Sequence, residues 1–240
     1  MELAEWARST KWAPATAGGG SQGFPVECPA KNGSGQLELG HAKPLHASAE
    51  VIASLLADEI GVFVPEARLG KCEGKTMAVS RLWGKNSIDI QKFRNDFSND
   101  YASEPFQAAL RHASGLLPFH AWLGTGDLKD AHVLVRPGPQ PFTYEIASID
   151  FADAFSWDAS GGNPVAPSAQ FVLALDQHRD PQRMSAIIAN IEGITEQRIR
   201  ELVQQVPDDV LPPGDKDRYV AGLVARKGKV RSALKAVGWL

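Results

Sequence analysis

Four groups of residues in this 240-residue sequence have types and spacings that could do chemistry. The first is Gly18-Gly19-Gly20-Ser21-Gln22-Gly23. Glycine lets backbone amides approach an anion with no side chain in the way, so the cluster could cover phosphates. It also reads as a plain flexible loop. It spells Gly19-x-Ser21-x-Gly23, the spacing of a hydrolase nucleophile, yet Pro25 spoils the helix that must follow such a serine. The second group is Lys43 with Glu50. A lysine at a strand end, pinned by a helix carboxylate, can reach nucleotide phosphates. The plainer alternative is two exposed charges, with Glu50 favouring its helix N-terminus.

The third group is Gly124-Thr125-Gly126-Asp127-Leu128-Lys129-Asp130-Ala131-His132, between an apolar helix and an apolar strand. Asp127 there could accept a proton from a substrate hydroxyl, and His132 could bind a metal through a ring nitrogen. A surface turn of charged residues is the alternative. The fourth is Ile149-Asp150-Phe151-Ala152-Asp153-Ala154-Phe155. A carboxylate among apolar neighbours needs a cation or strong donors, and Mg²⁺ with its oxygen ligands meets that need. A helix cap is the alternative. In sequence order these are a Gly loop, a strand Lys, a helix Glu, a loop Asp and a strand-end Asp. That is the order of parts in a phosphoryl-transfer site, which needs phosphate grips, metal ligands and one base.

The elements that must position these residues change character near residue 85. Before it, strands are expected at 24–30, 36–43, 62–69 and 76–82, with a helix from Ser48 to Ile60 ended by Gly61. Lys31-Asn32-Gly33-Ser34-Gly35 carries a hairpin signal between the first two strands. After residue 85 the spacing predicts one long buried helix over 106–124 and a strand pair at 133–135 and 144–149. A loop is expected at 160–167, then helices at 169–177, 195–205 and 215–234, with Pro181 in a link. The expected fold class is therefore α+β: a strand-rich N-lobe over 1–84 and a mainly helical C-lobe over 85–240, with ligands between them.

Composition narrows the function classes. With 43% hydrophobic residues the chain can bury a core, which excludes wholesale disorder. A net charge of −3 gives no reason to expect nucleic acid or an anionic membrane as partner. The basic run Arg226-Lys227-Gly228-Lys229-Val230-Arg231 reads as a solvated helix face. Trp83, Trp122 and Trp157 read as core or cleft lining. Cys28 and Cys72 lack Cys-x-x-Cys spacing, so reduced thiols are expected rather than a zinc site. The acidic first residues do not resemble a signal peptide, and no apolar run has the ~20 residues of a membrane span. A cytoplasmic protein is the expectation.

The second half resembles the HipA-like kinase family, relatives of the protein and phosphatidylinositol kinases. Members carry an Asn-Thr-Asp-Arg-His-x-x-Asn type loop after an apolar helix, then Ile-Asp-His-Gly-x-x-Phe. Phe119-His120-Ala121-Trp122-Leu123-Gly124-Thr125-Gly126-Asp127 is similar to the first, and Ile149–Phe155 to the second. Lys43-Pro44, Glu50 and Leu56-Ala57-x-x-Ile60-Gly61-Val62-x-Val64-Pro65 resemble the family's lysine, helix and exit strand. The pattern covers residues 15–230 and extends to the tail, with Pro207 and Val210-Leu211 before a final helix.

The resemblance implies a kinase-like core that uses ATP and Mg²⁺ and phosphorylates a serine or threonine of a protein. It makes Asp127 the base and Asp150 a metal ligand. Lys43 would hold the phosphates and Glu50 fix it. Gly19, Gly20 and Ser21 would cover the phosphates, and Ser80, Arg81 and Leu82 would contact the adenine. Some members are toxins held by a DNA-binding antitoxin. Two departures stand out. His132 replaces the second metal ligand, Asn, and its nitrogen suits Mn²⁺ better than Mg²⁺. Leu128-Lys129 replaces Arg-His, leaving Lys129 to contact the transferring phosphate. Lys31 rivals Lys43 for the lysine role. The resemblance is thus compatible with a working kinase and with an impaired pseudokinase that binds nucleotide or a partner.

Overall fold

The computed structural model describes residues 3–9, 23–30, 33–43, 46–81, 87–125, 128–157, 161–164 and 172–240. Its first part is a five-stranded barrel. Strands β1 (Glu5–Arg8), β2 (Phe24–Pro29), β3 (Leu37–Lys43), β4 (Ala67–Cys72) and β5 (Lys75–Arg81) run in the order β1-β2-β3-β5-β4. Parallel pairing of β1 with β4 closes it, and every other pairing is antiparallel. Alternation sends Trp6, Val26, Cys28, Ala42, Cys72, Met77 and Val79 inward. Both cysteines are free and buried there. The Trp6 indole fills the barrel because its neighbours are small: a Cβ on Gly70 would lie 2.6 Å from the indole.

Three expectations about this part change. Strand β1 was not foreseen; only Trp6 turns inward from its four residues, too few for a periodic signal. The strand expected over 62–69 begins only at Ala67, because Gly61 ends the helix in a left-handed turn and Val62 N–H bonds back to Ala57. The helix itself, α1 (Ala47–Ile60), starts one residue before Ser48, with left-handed His46 in the cap position. The β4–β5 turn is Glu73-Gly74, both at positive φ, which matches the right-handed twist of a two-residue hairpin.

The second part is helical around a small antiparallel sheet, order β6-β7-β8: β6 (Ile88–Asp89), β7 (Val133–Pro137) and β8 (Tyr144–Ser148). Helices α2 (Ile90–Asp96) and α3 (Ser98–Tyr101) precede α4 (Glu104–Ala113) and α5 (Leu116–Leu123). The single helix expected over 106–124 is therefore two. Pro118 explains the break: its ring would clash with the Ser114 carbonyl in a continuous helix, but it is tolerated in the first turn of α5. Next come α6 (Leu173–Gln177), α7 (Pro181–Gly193), α8 (Glu196–Gln204), α9 (Pro213–Lys227) and α10 (Val230–Ala236). Pro181 does not sit in a link but opens α7. It occupies the first helical position, and the Asp180 side chain accepts from Gln182 and Arg183 N–H. The last expected helix splits at Gly228-Lys229.

Helix α1 packs on β4 and β5 and also on α7 and α8. Its Ile52, Leu56 and Ile60 join one core with Phe106, Phe119, Ile187 and Leu202. The helix carrying Glu50 is thereby fixed against both parts. The basic run near the end is not simply solvated. Arg226 is 3% exposed and donates to the carbonyls of Ala121, Trp122, Gly161 and Asn163. Its guanidinium lies 4.3 Å from the Trp157 ring centroid. Trp122 is fully buried, with its N–H on the Leu223 carbonyl, and Trp83 lies outside the described residues.

Candidate active site

Lys43 is the last residue of β3, its carbon stem buried with the strand. Its Nζ donates to Glu50 Oε1 at 2.6 Å and to Asp150 Oδ1 at 3.0 Å. Those carboxylates come from α1 and from the turn just after β8, 107 residues away from the lysine in the latter case. Burial alone would lower the lysine's pKa, but the two carboxylates outweigh it and hold Lys43 above its ordinary value. Burial would likewise raise Asp150, and the Lys43 ammonium wins and lowers it. Lys43 and Glu50 are inside the fold and Asp150 is partly open to solvent, so removing the lysine leaves Glu50 as an uncompensated buried charge.

Glu50 has a second duty. The same Oε1 accepts the Phe151 N–H at 3.1 Å, so the helix carboxylate fixes the backbone beside Asp150. Asp150 itself sits at φ 68°, a left-handed conformation uncommon for any residue but glycine, though less so for Asp and Asn. That turn aims the carboxylate back at Lys43. His132 ends a short 3₁₀ turn (Asp130–His132) before β7, and its carbonyl accepts the Ile149 N–H. The pairing of β7 with β8 thus delivers His132 Nε2 to 3.7 Å from Asp150 Oδ2. One Asp150 oxygen faces the lysine and the other faces the imidazole.

The structure brings together four of the residues singled out in the sequence: Lys43, Glu50, His132 and Asp150. Lys129 caps the 3₁₀ turn and is half-buried. Ser80 and Arg81 lie on β5, where they pair with His41 and Gly40 of the lysine strand. Gly19, Gly20, Ser21, Lys31, Leu82 and Asp127 lie outside the described residues.

Two histidines that sequence reasoning passed over belong to this neighbourhood. His41 shares a strand face with Lys43 and packs on Gly23, where a Cβ would lie 2.1 Å from its Nε2. Burial, then the Lys43 charge, lower its pKa to about 4 against a smaller opposing effect of Asp150. His120, in the last turn of α5, is bonded to Thr125 and Ser148. A lone histidine in an apolar run has no spacing that marks it. The only signal was the cost of burying a polar ring, which demands partners.

No family model matches the chain, and no curated protein matches it by sequence. Solved structures do match. The proinflammatory kinase CtkA of Helicobacter pylori superposes with a TM-score of 0.60 over 89% of this chain and 94% of that one, at 14% identity. HipA of Shewanella oneidensis MR-1, solved with HipB and operator DNA, matches with a TM-score of 0.46 over 95% of this chain and 67% of that one, at 13% identity. The likeness to CtkA is one of fold. The chain shares the overall fold of that kinase, with a strand-rich first part and a helical second part.

Proposed function

We propose that this chain is an ATP-dependent phosphotransferase acting on a serine or threonine of a protein, with its nucleotide between lobes 1–84 and 85–240. The observation that carries this reading is the Lys43 ammonium held between the Glu50 and Asp150 carboxylates. A cation fixed by one helix carboxylate, beside a second carboxylate on a strained turn, suits a phosphate chain and its metal. The fold shared with a kinase agrees with it.

Asp150 Oδ2 and His132 Nε2 face each other across 3.7 Å, and these two donors would hold a divalent cation together with phosphate oxygens. Such an ion would neutralise phosphate charge as it develops. Lys43 would grip phosphate oxygens, and Glu50 would keep it extended. Asp127 would take the proton of the acceptor hydroxyl. The hydroxyl oxygen then bonds to the γ-phosphorus, the bond to the β,γ-bridging oxygen breaks, and ADP leaves. Gly19, Gly20 and Ser21 would cover the phosphates, Lys129 would meet the transferring group, and Ser80, Arg81 and Leu82 would border the base.

The test is titration of a fluorescent ATP analogue into wild type and Lys43→Met. Losing a charge-assisted contact worth about 1.5–3 kcal/mol should weaken binding at least about tenfold. Equal affinities would remove Lys43 from the site. His132 favours a second reading, an impaired kinase, because nitrogen replaces the oxygen that Mg²⁺ prefers. His132→Asn decides between them. A rise in Mg²⁺-dependent turnover marks His132 as an impairment, and a fall marks it as a working ligand, one for which Mn²⁺ outperforms Mg²⁺ in the wild type.

A further inference from the structure

The His120 ring is fully buried and makes two side-chain hydrogen bonds in opposite directions. Nδ1 lies 2.5 Å from Thr125 Oγ1, and Nε2 lies 2.8 Å from Ser148 Oγ. The ring face stacks on Phe151, centroids 5.0 Å apart at 19°. Each of these three partners adjoins a residue of the proposed site. Thr125 stands two positions before Asp127, Ser148 two before Asp150, and Phe151 one after it. The backbone of His120 adds to the grip, since its carbonyl accepts from Gly124 and Thr125 N–H. Phe151 is in turn the residue whose N–H Glu50 holds.

The imidazole is neutral here, because burial and then the nearby His132 disfavour its charged form. One ring nitrogen must therefore donate and the other accept. The Thr125 hydroxyl has the His120 carbonyl within 3.4 Å as its own acceptor. Nδ1–H then donates to Thr125 Oγ1, and Nε2 accepts the Ser148 hydroxyl. All three polar groups are satisfied by this arrangement, which ties the position of Thr125 to that of Ser148.

We propose that His120 is a positioning residue, a crossbar that fixes Thr125, just past the end of α5, against the end of the strand before Asp150. This rests on the phosphotransferase reading and adds to it. His120 touches neither nucleotide nor cation. It acts by holding Asp150 where a cation can use it, while Lys43 and Glu50 are placed by the packing of β3 and α1. Loss of the crossbar should therefore harm the cation's contribution to nucleotide affinity and spare the rest.

The experiment titrates ATP into the full chain with and without Mn²⁺, for wild type, His120→Phe and His120→Gln. Phe keeps the stack on Phe151 and removes both nitrogens. Gln restores a donor and an acceptor. In His120→Phe the gain in ATP affinity from Mn²⁺ should fall about tenfold, the scale of outer-sphere substitutions around a metal, with metal-free affinity unchanged. His120→Gln should recover most of the gain. Thr125→Val and Ser148→Ala, which each remove one contact and keep the ring, should each lose part of it, and they serve if His120→Phe does not fold. Nitrogen NMR of the wild type should show a protonated Nδ1 and an unprotonated Nε2. A Mn²⁺ gain that survives in His120→Phe, or in both partner variants, overturns the proposal and leaves the kinase reading standing. So does a wild type that binds ATP with no Mn²⁺ gain. A wild type that binds no ATP overturns the kinase reading and this proposal with it.

Discussion

Lys43 is the residue on which the site's electrostatics turn. Glu50 has a side chain only 4% exposed and depends on the ammonium for its charge compensation. Replacing Lys43 by Met should cost about 3–5 kcal/mol in urea unfolding, the price of an unpaired buried carboxylate. Adding Glu50→Gln should return part of that; if the double variant is no more stable than the single, the pair is not what holds this corner. The two overlooked histidines set the acid limb of stability. His41 and His120 have folded pKa values of about 4 and about 3, against 6.5 unfolded. Below pH 6.5 the unfolded chain binds protons that the folded chain refuses, so stability falls as pH drops toward 4 and then 3. His41 alone accounts for on the order of 3 kcal/mol of that loss. Urea midpoints at pH 7 and pH 4.5 should lie closer together in His41→Gln than in wild type. Equal spacing would contradict the buried, neutral ring.

At the scale of elements, the order of parts was legible and several boundaries were not. β2, β3, α1, β5, β7 and β8 could be read because each carries its own periodicity between glycine and proline breaks. Lys43, Glu50, His132 and Asp150 were legible for the same reason, since each marks the edge of such an element. The break between α4 and α5 has no period change to mark it, because Phe106, Leu110, Ala113, Leu117 and Ala121 keep helical spacing across it, and Pro118 is its one sequence signal. In the sequence Pro181 reads as a breaker, whereas in the structure it initiates α7, which is why no helix is expected there. Arg226 was misjudged because charge in a basic run says nothing about burial. Its guanidinium satisfies the Ala121 and Trp122 carbonyls at the end of α5, which otherwise have no helical partner. Burial lowers its pKa to about 10, and it stays charged at neutral pH. Arg226→Lys cannot serve four carbonyls from one point charge and should cost roughly 2–4 kcal/mol in thermal or urea unfolding. A loss below about 0.5 kcal/mol, the scale of ordinary surface changes, would show that these contacts are dispensable.

Over the whole molecule, a closed barrel presents β3 and a helical body presents the ends of β7 and β8, with α1 packed on both. That arrangement explains why residues so far apart in sequence share one ion-pair network, and why each could be read from its own motif while the contacts between them could not. Neither the barrel's parallel β1–β4 closure nor the double anchoring of α1 is encoded in any local window, since both depend on contacts between distant segments. Among the described residues no helix is long and apolar enough to cross a membrane. On the proposed function, Asp150, held by Lys43 and faced by His132, binds the cation that carries ATP. Calorimetric titration of ATP with Mg²⁺, with Mn²⁺ and without metal, on wild type and Asp150→Asn, tests it most directly. Asn tolerates the left-handed backbone at this position, so the substitution removes charge and little else. Metal-dependent ATP binding is expected in the wild type, and loss of that dependence in Asp150→Asn. Absence of ATP binding in the wild type under all three conditions, or metal dependence undiminished in Asp150→Asn, would contradict it.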